Sequence, residues 1–443
     1  MIVHLTSLGC ARNQIDSEIM LGRLNQVGAL FTDTPGDAEV IIVNTCSFIE
    51  SAADESIDTI LELAAHKNEG RCRRLIVTGC LPERYRQEIT RAIPEVDVFL
   101  GTGAFDRIVA AVQGHLDTAK CLLPDPDSLS PSGAGVSRER SNRWMAYVKI
   151  AEGCSRQCTY CIIPRLRGRR KSRSIEDVVA ESRQLIQTGV RELVLVSQET
   201  TAYGKDLKPP ADLARLLTAL AALPDGSGTD AFWIRFLYGH PQSIDDRLMN
   251  AVAQNANICS YFDIPIQHAS RSILKKMGRR YGPDDLRLML ERIRRLMPEA
   301  ALRTTVIVGF PGETDADFDE LLSFVESESF NHLGCFVYSD SEDLPSHGLP
   351  DHVPTATAQE RYRILMERQQ EISAARNRKY KDQKVAVLVE EHQENGLYTG
   401  RTEFQAPEVD GVNYIHADRL QTGCFAKVRI TDTLEYDLVG EAV

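Results

Sequence analysis

The chain has 443 residues, of which 26% are charged and 43% hydrophobic, and its formal net charge is −12 at pH 7. This composition is typical of a globular protein with two or three domains and excludes a disordered or fibrous chain. The acidic charge argues against a dedicated nucleic-acid-binding protein, which usually carries a basic surface.

The start of the chain, Met1–Gly9, predicts a short strand without a basic leader, so we expect no signal peptide. Apolar runs all fall well short of the roughly 20 residues that a membrane span needs. We therefore expect a cytoplasmic protein without a membrane association. Its eleven cysteines should then be reduced and free to bind metals, since disulfides are rare in that compartment.

Residues 1–116 alternate strand and helix patterns and are predicted to form one domain. Short runs rich in Val and Ile predict strands at Ile2–Leu8, Glu39–Asn44 and Arg74–Thr78. Amphipathic stretches predict helices at Asn13–Val27, Ser51–Ala65 and Glu83–Ala92. This alternation indicates an α/β domain with a parallel sheet covered on both faces.

Cys10, Cys46 and Cys80 each lie just beyond one of these three predicted strands. Ligands of open α/β sheets collect beyond the carboxyl ends of the strands, so the fold should bring the three thiols together. The sequence thus predicts a three-thiolate metal site built from distant residues. The alternative, three unrelated cysteines, does not explain why each repeats the same position.

The segment 117–142 interrupts the alternation with prolines, glycines, serines and charged residues. It lacks apolar periodicity and is predicted to be an interdomain linker. Cys121, which lies within it, is interpreted as incidental and not as a metal ligand.

From residue 143 to residue 380 the strand and helix patterns return for six units. The predicted strands are Met145–Ile150, Glu192–Ser197, Phe232–Leu237, Tyr261–Ile266, Leu302–Val308 and Leu333–Tyr338. Six β/α units fit a partial or complete barrel better than an open sheet, and periodicity leaves closure open. A long charged helix, predicted at Thr357–Lys381, follows the last unit.

A cysteine run, Cys154-Ser-Arg-Gln-Cys158-Thr-Tyr-Cys161, directly follows the first predicted barrel strand. Three thiolates this close together can hold three corners of a four-iron cluster, because thiolate is the soft ligand that such clusters need. The fourth iron then keeps an open position for a small molecule. A zinc site is the alternative, and it is disfavoured because no fourth Cys or His lies within ten residues of the run.

A strongly basic stretch, Arg165–Arg173, comes shortly after the cysteine run. It is either a solvated loop face or a docking strip for an acidic or phosphate-bearing partner near the mouth of the site. The sequence does not choose between these two interpretations.

Residues 381–443 change character and predict a small antiparallel β-barrel. Its expected strands are Val385–Glu390, Tyr398–Thr402, Asn413–Ile415, Phe425–Ile430 and Leu434–Val439. Residues 385–443 hold four basic and eleven acidic side chains. Such a barrel should repel an RNA backbone and suit a basic protein partner, unless it serves only stability.

The chain resembles the methylthiotransferase family of the radical SAM superfamily over essentially its whole length. The motifs that resemble the protein-modifying branch of that family are Leu8–Glu18, Asn44–Glu50, Ser197–Gly204 and Gly400–Gly411. The resemblance implies an N-terminal parallel-sheet α/β domain, a central (β/α)6 partial TIM barrel and a C-terminal TRAM barrel. One departure is Ala11-Arg12, where the family usually has Pro-Lys, and we expect it to touch a loop and not a ligand.

The resemblance also implies two 4Fe-4S clusters and S-adenosyl-L-methionine (SAM) as cofactors. The radical SAM cluster would be held by Cys154, Cys158 and Cys161, and the auxiliary cluster by Cys10, Cys46 and Cys80. SAM would contact Tyr160, Gln198 and Gly309, each of which also has an ordinary structural interpretation. Two SAM molecules, one radical source and one methyl donor, would serve to methylthiolate the β-carbon of an aspartate in small-subunit ribosomal protein twelve.

Further expectations concern partners and the remaining candidate residues. The implied reductant is a low-potential electron donor of flavodoxin or ferredoxin type, and we expect a monomer that does not act on nucleic acid. His240 and His268 face the cavity or are merely hydrogen-bonded. The cysteines interpreted as packing or surface residues are Cys72, Cys259, Cys335 and Cys424. Two other functions stay open: tRNA adenosine methylthiolation and electron transfer by a two-cluster scaffold.

Overall fold

The structure is a computed structural model that describes residues 1–116, 120–128, 131, 135, 137–224 and 232–443. Its main sheets form, in chain order, a parallel sheet, an arc of parallel strands and a small closed barrel. The predicted α/β fold class with a C-terminal β-barrel is therefore confirmed. Across the described ranges, no helix has both the length and the apolarity required to cross a membrane.

The N-terminal sheet has six parallel strands in the order β2-β1-β3-β4-β5-β6. They are β1 (Ile2–Ser7), β2 (Leu30–Phe31), β3 (Val40–Thr45), β4 (Arg74–Gly79), β5 (Val98–Leu100) and β6 (Cys121–Leu122). The α-helices are α1 (Ala11–Gln26), α2 (Glu50–Ala64), α3 (His66–Glu69), α4 (Cys80–Tyr85), α5 (Ile89–Ala92) and α6 (Ile108–Gln113). Every residue of β3 is buried, as expected for a parallel strand covered on both faces.

One expectation for this region was wrong. The helix predicted at Glu83–Ala92 is broken, because Arg86 adopts a positive φ of 54° between α4 and α5. The linker predicted at 117–142 contains β6, which pairs with β5 and extends the sheet. Part of that linker lies outside the described residues. Cys121 is partly buried against the N-terminal core.

The central arc consists of two three-stranded parallel sheets, joined by an isolated bridge between Ile234 and Ile258. Its strands are β7 (Met145–Lys149), β10 (Glu192–Val196), β11 (Trp233–Phe236), β12 (Tyr261–Asp263), β13 (Ala301–Val308) and β14 (His332–Val337). A short pair, β8 (Ala151–Glu152) and β9 (Lys171–Ser172), follows β7. The helices are α7 (Ile163–Arg167), α8 (Ile175–Gln187), α9 (Leu213–Ala221), α10 (Asp246–Gln254), α11 (Arg271–Lys276), α12 (Pro283–Leu296), α13 (Asp315–Glu328) and α14 (Thr355–Asn377).

The C-terminal strands close into a barrel in the order β15-β16-β17-β19-β18. They are β15 (Lys384–His392), β16 (Leu397–Arg401), β17 (Asn413–His416), β18 (Phe425–Thr433) and β19 (Leu438–Ala442). The pairs are antiparallel except for β17 with β19, which is parallel. The last strand begins later than predicted, because Leu434 to Asp437 form a turn closed by a 2.9 Å backbone hydrogen bond.

The three parts meet in one apolar cluster inside the arc, where α1 and Leu388 of the C-terminal barrel pack against residues of β7 and β10. The loop 402–411, which we call the plug, enters the arc from the amino-terminal ends of its strands. Tyr147 donates a 3.0 Å hydrogen bond to Glu408, and Tyr261 donates a 2.6 Å hydrogen bond to Asp410. The plug thereby fills the end of the arc opposite to the strand ends that carry the cysteines.

Candidate active site with two cysteine triplets

The first triplet lies at the carboxyl edge of the N-terminal sheet. Cys10 precedes α1, Cys46 follows β3, and Cys80 is the first residue of α4. Their strands β1, β3 and β4 are neighbours in the sheet, so the three thiols converge there. Gly9 permits the approach: its φ is +91°, and a Cβ built on it would lie 2.7 Å from the Cβ of Cys46.

The second triplet lies in the loop that follows β8. The pairing of β8 with β9 fixes the base of this loop, and the Cys154 amide donates to the Gly168 carbonyl at 3.0 Å. Thr159 holds the middle of the loop, donating from its hydroxyl to the Lys276 carbonyl at 2.8 Å. Cys158 and Cys161 flank this anchor, so the backbone around the triplet is fixed by the barrel and not by the cysteines themselves.

Both triplets line one cavity with a volume of about 560 Å³. Gln198, Tyr160 and His240 also line it. His268 is fully buried elsewhere, and Gly309 borders a different cavity beside Tyr338. A Cβ on Gly309 would lie 2.4 Å from the Cβ of Ala358, so the close approach of α14 already requires a glycine there.

The chemistry of the donor set fits iron–sulfur clusters, because each triplet offers three thiols and thiolate is the soft ligand that such clusters need. Among the described residues, no group of three His, Cys, Asp or Glu side chains is arranged to hold a single metal ion. Burial raises the pKa of Cys80 to about 11 and that of Cys161 to about 12. These thiols become good ligands only beside strong positive charge, which bound iron supplies.

Cys10 differs from the other cysteines of its triplet. Burial alone would raise its pKa, but the charges of Arg12 and Arg167 and two backbone N–H groups outweigh that effect. The pKa of Cys10 is therefore lowered, while burial raises that of Cys46. The guanidinium groups give the first triplet a positive surrounding, which stabilises negative sulfur.

At Arg167 the basic stretch is neither a solvated loop face nor a docking strip, because this side chain is buried. Its side chain is 3% exposed and contacts Asp16 at 3.3 Å and Glu152 at 3.1 Å. It also donates to Asn13 at 2.5 Å and lies 3.6 Å from the Cys80 sulfur. Since Asp16 and Asn13 belong to α1, this buried network joins the N-terminal sheet to the loop of the second triplet.

Other members of the basic stretch are also tied down. Arg173 is buried and pairs with Asp177 at 2.6 Å and Glu181 at 2.5 Å. Lys171 donates to the carbonyl of Pro126 at 2.6 Å. Arg165 and Arg169 are exposed, so only a part of Arg165–Arg173 faces solvent.

The expectation that Arg12 touches only a loop was incomplete. Arg12 lines the cavity, and its guanidinium lies 4.6 Å from the centre of the Tyr238 ring. It donates to the Ser197 carbonyl at 2.9 Å, so it reaches from α1 to the end of β10. An arginine at position 12 does not by itself predict the contacts with Tyr238 and Ser197, because these contacts depend on how two domains meet.

Gln198 lines the cavity and has a free acceptor. Its Nε2 donates to Glu152 at 2.6 Å, which fixes the orientation of the amide because a carboxylate only accepts. Its Oε1 is buried and has no partner among the described residues. Tyr160 has its hydroxyl engaged by Arg279 and its ring edge-on to Phe310, with ring centres 6.5 Å apart.

His240 lines the cavity as a neutral group. Burial, together with the charges of Arg279, Arg156 and Lys205, lowers its pKa to about 2. Its Nδ1 accepts a hydrogen bond from the Gln242 amide at 3.2 Å. His240 is thus suited to hydrogen bonding and not to proton transfer near neutral pH.

Three family models match successive parts of the chain. The model described as Uncharacterized protein family UPF0004 matches residues 2–101, and that of the Radical SAM superfamily matches residues 148–325. The TRAM domain model matches residues 383–443. Two solved structures share the fold. The radical SAM methyltransferase TsrM from Kitasatospora setae has a TM-score of 0.56 and 16% sequence identity, and the match covers 78% of this chain and 77% of that chain. The cobalamin-dependent SAM radical enzyme OxsB has a TM-score of 0.52 and 13% identity, and the match covers 84% of this chain and 56% of that chain.

Fold and site together are those of a radical SAM enzyme with an additional cysteine triplet. Curated relatives named Ribosomal protein uS12 methylthiotransferase RimO include that of Desulfosudis oleivorans, 53% identical over the full length of both chains. Those of Geobacter sulfurreducens and Clostridioides difficile are each 45% identical, covering 100% of this chain and 98% of theirs. The chain belongs to this RimO family of radical SAM methylthiotransferases, whose cofactors are SAM and 4Fe-4S clusters.

Proposed function

We propose that this protein adds a methylthio group to the β-carbon of an aspartate in ribosomal protein uS12, the small-subunit protein twelve. Two SAM molecules would be consumed per turnover, one as radical source and one as methyl donor. The observation that carries the proposal is the single cavity lined by both triplets. One substrate carbon can face both triplets there, as successive radical formation and sulfur transfer at that carbon require.

Cys154, Cys158 and Cys161 are assigned to the radical SAM cluster, and Cys10, Cys46 and Cys80 to the auxiliary cluster. When bound, the first cluster supplies the electron that cleaves SAM and the second supplies the sulfur. The protein positions the reactants and keeps water away from them. Gln198 is assigned to SAM, because its free Oε1 can accept from an ammonium or a ribose hydroxyl. Tyr160 and Gly309 remain proposed SAM contacts, and of the two only Tyr160 lines the cavity.

For the reductant, we propose a small acidic electron-transfer protein of flavodoxin or ferredoxin type. A basic groove lies next to the second triplet, lined by Arg156, Lys205, Lys275, Arg279 and Arg280. Cys158 also lines this groove, and none of the described lining residues is acidic. A donor bound there would sit beside the ligand loop, at the short distance that electron transfer requires.

The C-terminal barrel supports a protein substrate over tRNA. Arg401, one of its four basic residues, is buried and pairs with Glu192 at 2.6 Å, so it is withheld from phosphates. Arg429 pairs with Glu441 at 2.7 Å. Few cations are left to neutralise an RNA backbone.

We further propose that the protein works as a monomer in the cytoplasm, with the domain limits 1–116, 143–380 and 381–443 and the linker 117–142.

The decisive experiment is an anaerobic assay of the reconstituted protein with SAM and a strong reductant. It is offered uS12, or a peptide of its aspartate-bearing loop, and separately an unmodified tRNA, and both are analysed by mass spectrometry. The proposal predicts a methylthio addition on the aspartate peptide alone. Modification of the tRNA alone would place the protein in the other branch, and SAM cleavage without any transfer would refute both.

A further inference from the structure

The arginines that line the cavity differ in whether their charge is already matched. There are four of them: Arg12, Arg156, Arg167 and Arg279. Arg156 and Arg167 form ion pairs with buried carboxylates, and Arg279 donates to the Tyr160 hydroxyl. Arg12 has no carboxylate within ion-pair distance among the described residues. The Nε of Arg12 is buried without a hydrogen-bond partner. Arg12 therefore brings to the cavity a positive charge that acts on the Cys10 thiol but has no carboxylate in direct contact.

The guanidinium of Arg12 is held in place on two sides. One terminal nitrogen donates to the Ser197 carbonyl at 2.9 Å, and the guanidinium carbon lies over the Tyr238 ring, 4.6 Å from its centre. Tyr238 itself adopts a positive φ of 63°, an uncommon conformation for a bulky residue, and its amide donates to Asp263 at 2.9 Å. Because these contacts leave donors of the guanidinium unused, Arg12 is preorganised for a further acceptor.

We propose that Arg12 binds the carboxylate of the substrate aspartate and so selects an acidic side chain at the first triplet. The inference rests on the proposed function and adds the group that recognises the substrate. Arg12 and Cys10 line the same cavity and are two residues apart in the chain, so a carboxylate held by Arg12 would bring the adjoining β-carbon to the first triplet. A buried guanidinium forms strong charge-assisted hydrogen bonds with a carboxylate.

The same contact would discriminate against neutral substrates. An amide or a nucleobase leaves the arginine charge unmatched in a partly desolvated cavity, which disfavours its binding. The unused donors of Arg12 thus give the site a preference for an anion that the cysteines alone would not provide.

The test compares Arg12→Gln and Arg12→Lys with the unaltered protein. Each is given the aspartate peptide and a peptide with asparagine in its place. Binding is followed by anisotropy of a fluorescein-labelled peptide, and turnover by mass spectrometry. For Arg12→Gln we expect the KM and the Kd of the aspartate peptide to rise about tenfold to a hundredfold. The asparagine peptide should be affected less than about threefold, and Arg12→Lys should recover part of the preference.

Arg23→Gln is the matched control, because Arg23 also lies on α1 and donates to a backbone carbonyl, that of Asp106 at 3.1 Å. Its Nε is likewise buried without a partner, but it does not line the cavity. This variant should keep the full preference for aspartate. Iron content and SAM cleavage without peptide should stay within about twofold in Arg23→Gln. For the Arg12 variants both are measured as well, and binding and turnover are expressed per assembled cluster, which separates recognition from cluster assembly.

Several outcomes would overturn the inference. Equal losses for both peptides in Arg12→Gln would mean that the residue serves the structure and not recognition. An unchanged preference, or lost iron in Arg12→Lys together with Arg12→Gln, would do the same. If the unaltered protein modifies no aspartate peptide, the proposed function itself fails, and that result is distinct from a failure of Arg12 alone.

Discussion

Cys46 and Cys158 are each the second cysteine of their triplet in chain order. Substituting them one at a time tests the two proposed clusters separately. We expect Cys46→Ala to retain SAM cleavage and about half of the iron, because the second triplet is untouched, yet to lose sulfur insertion. Cys158→Ala should stop both activities. The measurement is 5′-deoxyadenosine and methylthio-peptide formation by mass spectrometry, together with iron analysis.

Cys424→Ala is the matched control, since Cys424 lies outside the cavity and should be dispensable. The two-site assignment would be contradicted if Cys46→Ala inserted sulfur normally. It would also be contradicted if that variant lost SAM cleavage while keeping the iron of the second triplet.

His268 gives the stability of the protein a predictable dependence on pH. The side chain is fully buried, and burial together with the charge of Arg361 lowers its pKa from 6.5 to about 3. Between these values the unfolded chain binds a proton that the folded protein does not. The free energy of unfolding should therefore fall as the pH falls from 6.5 towards 3, by at most about 1.4 kcal/mol per pH unit.

The variant His268→Asn isolates this contribution, because its side-chain oxygen can still accept from the Ser270 amide as Nδ1 does at 2.9 Å. Anaerobic urea unfolding at pH 7.5 and pH 5.5 should show a smaller difference in the variant than in the unaltered protein. Identical pH dependence in the two proteins would show that folding does not lower the pKa of the imidazole.

At the scale of single residues, candidate site residues could be predicted from the sequence where they repeat one structural position or cluster along the chain. The strand-end cysteines and the cysteine run are of this kind. Arg167 could not be identified, because a buried arginine in a basic run looks like its exposed neighbours until its partners are known. A weak signal existed in α1, whose buried side includes the polar Asn13, Asp16 and Glu18. Buried polar groups require partners from elsewhere in the fold.

Among the elements, β10, β11 and β16 are joined by one buried charge network. Glu192 accepts from Arg235 at 2.7 Å and from Arg401 at 2.6 Å, and all three side chains are at most 3% exposed. Glu192→Gln would leave the buried Arg235 without a carboxylate partner and Arg401 with Glu390 alone. We expect a loss of about 3–5 kcal/mol in the free energy of unfolding, measured by urea denaturation, with earlier proteolytic release of the C-terminal barrel.

Glu360→Gln provides the same substitution in an exposed pair on α14, where Glu360 contacts Arg363. It should leave the unfolding midpoint unchanged, because water screens exposed pairs. A Glu192→Gln protein as stable as this control would show that the network contributes nothing to docking of the barrel.

Strands and helices were predicted correctly where their hydrophobic periodicity extends over enough residues to be recognised. The strands β1, β3 and β4 and the helices α1 and α2 fall within two residues of their predicted bounds. The strands β2 and β6 have only two residues each, too few for any period, and they exist because a neighbouring strand offers hydrogen bonds. The break at Arg86 depends on tertiary contacts that overrode local helix propensity.

At the scale of the whole molecule, the basic groove is an exception on an acidic protein. Lys205, Lys275 and Arg280 line it, are exposed, and have no ion pair among the described residues. Replacing all three by glutamate should raise the KM for reduced flavodoxin at least about tenfold at low salt. SAM cleavage driven by dithionite should stay within about twofold, because that small reductant needs no docking surface.

Charge reversal of the exposed Lys384, Arg419 and Lys427 on the C-terminal barrel changes the net charge equally and serves as the control. The groove would be excluded as the donor site if both triple variants lost flavodoxin-supported activity to the same degree. It would also be excluded if neither lost any.

The plug closes one end of the barrel arc, so the arc is not a channel open at both ends. With Glu408 and Asp410 anchored at its base, the amino-terminal end of the arc is filled, and the cysteines lie at the opposite, strand-end face. Whatever binds deepest must then enter first and leave last. A small cofactor would have to load before a bulky protein loop covers the rim, and its spent fragments would wait for that loop to depart. The ten residues of the plug, at the far end of the arc, would thereby impose an order of binding and release on turnover.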